Sequence, residues 1–156
     1  MTPDPTSPAN FALIIQEQVD RLKSRTYREI GEATTRKRLA WLNEHFAPRE
    51  NLKLITPRKA FEILFFDYMG LAPSDLVVVK ESDQEIVWLS QNPCPTLEAC
   101  QVLDLDTRLV CQQAYEQSTQ AFIAYLNPQL RFGRSYEDIR PYAPYCKERI
   151  SYSSRV

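Results

Sequence analysis

A chain of 156 residues with 44% apolar and 25% charged side chains can bury one core and reads as a single globular domain. Its 19 basic and 20 acidic residues leave a net charge of −1, which argues against a nucleic-acid-binding face, since such faces carry a basic excess. No apolar run approaches the roughly 18 residues that span a bilayer; the longest candidate, AFEILFFDYMG, is broken by Glu62 and Asp67.

Residues 1–9 carry three prolines and read as a disordered lead-in, followed by one domain over residues 10–156. The N-terminus shows no basic region followed by an apolar stretch, so no secretory signal and a cytoplasmic setting are expected. From Asn10, the residues Phe11, Ile14, Ile15, Val19 and Leu22 recur at helical spacing. Gly31 is the expected divide between this helix and a second one. The second carries Leu39, Leu42 and Phe46 inward and stops at Pro48. The basic residues Arg21, Lys23, Arg25, Arg28, Arg36, Lys37 and Arg38 read as a solvated surface, because acidic residues interleave them.

The stretch TPRKAFEILFFDYMG predicts a short helix with Thr56 as N-cap, Pro57 in the first turn and Gly70 at the positive-φ stop. Two β-rich runs, Leu76–Lys80 and Glu85–Ser90, flank a polar turn and predict a hairpin over 76–90. Pro95 to Leu103 predicts a helix, and Asp106 caps a longer one that Asn127-Pro128 ends near Leu126. Strands follow near 130–136 and 145–152. The fold class is therefore α+β: N-terminal helices, an antiparallel sheet of about four strands, and a helix pair over 95–126 packed on it.

A cytoplasmic protein keeps its thiols reduced, so the four cysteines are read as core thiols, metal ligands or catalytic groups. Cys100 shares a helical stripe with Leu97 and Leu103 and reads as core. Cys111 has the small residues Ala114, Ser118 and Ala121 beside it; these let another element approach or leave room for a pocket. Cys146 alternates with Glu148 and Ile150 on one strand face. Cys94, directly before Pro95, falls at a helix N-cap, where free N–H groups favour a thiolate. The spacing C-x5-C-x10-C-x34-C lacks the close pair with which structural zinc sites open. Cys94, Cys111 and Cys146 are the three that one zinc ion or iron–sulfur centre could draw on. No nucleotide-binding motif is present.

His45, the single histidine, falls near a helix end and reads as a capping or solvated group. Arg131, Arg134 and Arg140 flank aromatics in LRFGRSYEDIRPY, a setting suited to a small carboxylate. Arg134 shares a face with Leu130 and Phe132.

The segments NPCPTLEAC, LDTRLVC, LNPQLRFGRSY and PYCKERI, spanning roughly residues 85–152, together resemble the L-2-amino-thiazoline-4-carboxylic acid hydrolase-like family. Such domains look distantly similar to small-ligand 4-vinyl reductase-type domains. The matching positions are Cys94-Pro95, Cys111, Asn127-Pro128 with Leu130 and Phe132, and Cys146. The resemblance implies hydrolysis of a C–N bond in a small cyclic amidine or thiazoline acid. Cys94 would be the nucleophile or the group polarising the ring, Glu148 or Glu98 the acid or base, and Arg134 the carboxylate holder, with the Leu97 and Glu98 N–H groups stabilising developing charge. The alternative is a non-catalytic sensor domain that binds a small ligand, metal or cofactor through Cys94, Cys111 and Cys146.

Overall fold

The computed structural model describes residues 7–46 and 55–153. Most of the proline-bearing lead-in, and the expected helix stop at Pro48, lie outside the described residues. Among those described, helices cover one face of a four-stranded antiparallel sheet, and no helix is long and apolar enough to cross a membrane.

Helix α1 spans Pro8–Ser24, starting two residues before Asn10, with the Ser7 hydroxyl accepting from the Asn10 N–H. Helix α2 spans Tyr27–Phe46. The break between them falls at Arg25–Thr26, not at Gly31. The reason is a capping box: the Glu29 N–H donates to the Thr26 hydroxyl, and the Thr26 N–H donates to the Glu29 carboxylate, each at 3.1 Å. The signal, Thr-x-x-Glu, is present in the sequence. Gly31 has a different task. It is buried inside α2, and a Cβ there would meet the Ala114 carbonyl oxygen at 3.2 Å. It lets α2 lie close on the segment carrying Cys111.

Helix α3 spans Pro57–Glu62, capped by Thr56. The chain then widens into a π-helical turn over Ile63–Tyr68, and Gly70 takes φ +68°. The expected single helix is thus two unlike pieces. Strands β1 (Leu76–Glu81) and β2 (Glu85–Ser90) form the expected hairpin. Helix α4 spans Pro95–Leu103. The predicted long helix is interrupted: α5 (Thr107–Val110) passes into a second π-helical turn, Cys111–Tyr115, before α6 (Glu116–Leu126). Strands β3 (Leu130–Arg134) and β4 (Cys146–Tyr152) complete the sheet in the order β1-β2-β4-β3.

The register divides the inner face of the sheet in two. At one end Ile86, Ile150 and Phe132 stand in one row, and Leu130 faces Tyr152 in the next. They join Phe61, Leu64, Trp88 and Phe122 in the main core. At the other end the alternation continues but the chemistry changes: Trp88, Glu148 and Arg134 form one row, Ser90 and Cys146 the next. A second apolar cluster joins α1, α2, α4 and α5 through Val19, Ile30, Cys100 and Val110. The polar end of the sheet lies beneath the helices.

Candidate functional site

Five side chains singled out in the sequence, Cys94, Cys111, Arg134, Cys146 and Glu148, line one cavity of about 180 Å³ at that polar end. The sheet supplies Ser90, Arg134, Cys146 and Glu148. The helical layer supplies Arg38, Cys94, Cys111, Tyr115 and Thr119, and Phe65 and Met69 belong to the segment after α3. Glu98 and His45 are not among the lining residues. His45 instead stacks on Trp41 at 4.3 Å, with Nδ1 2.8 Å from the Trp41 carbonyl oxygen.

Cys94 is the N-cap of α4: its Sγ accepts from the Leu97 N–H at 3.4 Å. Pro95 fits the first helical position because it has no N–H to leave unpaired. The expected thiolate does not follow. Burial pushes the thiol above its ordinary value, outweighing the Leu97 N–H and the Arg140 charge that favour the anion. The Leu97 and Glu98 N–H groups are already spent on Cys94, on Sγ and on the carbonyl oxygen, so the charge-stabilising role expected of them is closed.

Burial also pushes the Cys111 thiol up to about 12 and that of the core residue Cys100 up to about 11. Cys111 opens the second π-helical turn, and such turns re-aim side chains at functional sites. Ala114, three residues on, packs under Gly31, while Cys111 faces the cavity. The small-residue signal beside Cys111 thus marked both a close approach and a pocket. All four cysteines are free thiols. Among the described residues no group of three or more His, Cys, Asp or Glu side chains is arranged to hold a metal ion, so Cys94, Cys111 and Cys146 share a cavity without forming a ligand set.

Glu148 and Arg134 are cross-strand partners in the centre of this wall. Glu148 is buried and Arg134 largely so, and the Arg134 Nη2 lies 3.7 Å from the Glu148 Oε2, outside hydrogen-bonding distance. The Ser90 hydroxyl donates to Glu148 at 3.4 Å. Burial pushes the Glu148 carboxyl above the usual range, with Arg134, Ser90, Arg140 and Arg38 only partly opposing it. Burial works against the Arg134 cation, but Glu148 and the surrounding groups outweigh it and its pKa is raised. The Arg134 Nη1 is buried with no hydrogen-bond partner among the described residues.

Among the polar lining residues, Arg38 and Tyr115 were not assigned to a site from the sequence, whereas Arg140 was named there with Arg134 as suited to a carboxylate. Arg38, read as surface, points inward, and its Nη1 donates to the Thr119 hydroxyl at 2.8 Å. Its position, four residues before Leu42 and eight after Ile30, placed it on the buried stripe of α2. Arg140, grouped with Arg134 for its aromatic neighbours, donates to the Asn92 carbonyl oxygen at 2.7 Å and to the Cys146 Sγ at 3.4 Å. It ties the loop before β4 to the segment before α4. Tyr115 accepts from the amide of the buried Gln18, which holds α1 against this wall. No local pattern links Asn92 to Arg140 or Gln18 to Tyr115.

Comparison with family models, curated proteins and solved structures found no significant match to the chain.

Proposed function

We propose that this chain is a small-molecule-binding domain whose ligand is a small organic acid. One observation carries the reading: Arg134 lines the cavity, and its guanidinium carries a buried N–H that has no acceptor among the described residues. Burying such a donor without a partner costs free energy. A carboxylate brings both the acceptor and the opposite charge. The remaining lining, with three thiols, Phe65 and Met69, suits the less polar body of such a molecule. A cavity of about 180 Å³ is below the range typical of drug-sized ligands, so the occupant is a compact one.

Calorimetric titration with formate, acetate and pyruvate tests this. At least one should bind to the wild-type chain, and Arg134→Met should weaken it about tenfold or more, the worth of a charge-assisted hydrogen bond. Binding that is indifferent to Arg134→Met would sink the reading.

A second reading, hydrolysis of a C–N bond in a cyclic amidine or thiazoline acid, is supported by the shared cavity of Cys94, Glu148 and Arg134 and by the family resemblance. In it Cys94 is the nucleophile, Glu148 the proton donor and Arg134 the carboxylate holder. A carboxyl with a raised pKa suits proton donation near neutrality. The high thiol pKa of Cys94 weighs against the nucleophile, and the geometry therefore favours binding. Turnover of 2-amino-thiazoline-4-carboxylate that Cys94→Ser abolishes would reverse that order.

A further inference from the structure

We propose that Arg38 and Arg134 together form a two-guanidinium clamp for a small dianion, a molecule with two negative charges on oxygen. This rests on the small-acid reading above and narrows it to a charge class. Three observations carry it.

The first is placement. Arg38 comes from α2 and Arg134 from β3, so the two cations reach one cavity from opposite layers of the fold. Thr119 holds Arg38 by its Nη1, and the Arg134 guanidinium lies 5.3 Å from the Phe132 ring centre. Both side chains are therefore positioned before any ligand arrives.

The second is unmet hydrogen-bonding capacity. The Arg38 Nε and the Arg134 Nη1 are both buried, and neither has a partner among the described residues. Two donors on two side chains call for two acceptor oxygens. The Glu148 carboxylate does not supply them, since at 3.7 Å it is too far from Arg134 to accept a hydrogen bond. Arg140, the third lining arginine, differs: its N–H groups are spent on Asn92 and Cys146.

The third is charge. Among the described lining residues, Arg38, Arg134 and Arg140 face a single carboxyl, Glu148, across the cavity. The wall therefore carries an excess of two positive charges when Glu148 is ionised, and more when it is protonated. Buried charge of one sign is costly until it is matched. Burial lowers the Arg38 pKa most, Tyr68 partly offsets it, and repulsion from Arg134 lowers it further. A monoanion leaves one of the two cations unmatched, whereas a dianion answers both.

Dicarboxylates and phosphate share this chemistry, and titration separates them. We expect malonate or inorganic phosphate to bind the wild-type chain about tenfold to a hundredfold more tightly than acetate, the range of one added charge-assisted hydrogen bond. Whichever of the two binds identifies the source of the second charge. Arg38→Met should abolish the preference for the dianions over acetate. Thr119→Val, which removes the anchor and keeps the charge, should give a smaller loss, and Arg38→Lys a partial rescue. If acetate binds as tightly as both dianions, or if Arg38→Met keeps the dianion preference, the clamp is overturned and the small-acid reading stands. If neither acetate nor either dianion binds the wild-type chain, both fall. A melting curve on each variant separates loss of the clamp from loss of the fold, and a folded Arg38→Lys decides the matter if Arg38→Met is unfolded.

Discussion

Arg134 on β3 and Glu148 on β4 face each other directly across the sheet, yet their nearest charged atoms stand 3.7 Å apart. Opposite charges largely shielded from water usually close to hydrogen-bonding distance. Here the pair leaves an Arg134 N–H unpartnered among the described residues and opens both side chains to the cavity. The pair neutralises charge but leaves hydrogen-bonding capacity for something else.

Replacing Glu148 by Gln should leave stability at neutral pH equal to wild type or raise it, because burial disfavours the ionised carboxyl more than Arg134 favours it. Urea denaturation measures it. The same variant should flatten the dependence of stability on pH. The Glu148 pKa is raised in the folded state, so the folded chain holds the proton more tightly than the unfolded chain does. Its contribution is fully present below the unfolded value of about 4.3 and is lost as pH rises through the folded pKa. The gap between wild type and Glu148→Gln should therefore vary over that window. A gap independent of pH from 4 to 8 would contradict the burial of Glu148.

Cys94→Ser should keep or slightly raise stability, because serine is the better N-cap and the Leu97 N–H retains an acceptor. Cys94→Ala should cost about 0.5–1 kcal/mol, since that N–H loses its partner. Thermal melts of the two variants check this. A serine variant less stable than the alanine variant would show that sulfur packing, and not capping, is what the position needs.

Alkylation by iodoacetamide should be slow at pH 7 for Cys94, Cys100 and Cys111, and should climb with pH without a plateau below pH 9. The reactive form is the thiolate, and burial holds all three thiols above their ordinary values, Cys100 at about 11 and Cys111 at about 12. Peptide mass spectrometry assigns the rate to each residue. A plateau at neutral pH for Cys94 would restore it as a nucleophile.

Gly31→Val should cost about 2–3 kcal/mol and disturb the cavity as well as the helix packing. Even a Cβ meets the Ala114 carbonyl oxygen at 3.2 Å, and the extra methyl groups must push α2 from the turn that carries Cys111 and Tyr115. Urea denaturation measures the stability, and carboxylate affinity measured beside it shows the link from packing to site.

The fold was legible wherever local chemistry decides. Thr56, Cys94 and Asp106 were read as helix caps and each accepts from a backbone N–H at a helix start; Ser7 and Thr26 do the same, and those two caps were not read. The hairpin over 76–90 followed from two β-rich runs around a polar turn. The π-helical turns at Ile63–Tyr68 and Cys111–Tyr115 did not show, because one extra residue in a helical turn leaves the apolar period nearly intact.

Alternation along β4 and β3 was enough to put Cys146 with Glu148 and Arg134 with Phe132, and the Cys-Pro pair was enough to place Cys94 at a helix start. Those are properties of neighbouring residues, and covalent spacing imposes them. Which strands pair, and therefore that Arg134 meets Glu148, was decided by the sheet order, in which β4 lies between β2 and β3. That Arg38 turns inward, and that Cys94 is a poor thiolate, were decided by packing. Ionisation and hydrogen-bonding demand depend on how much water is excluded, and only the assembled layers set that.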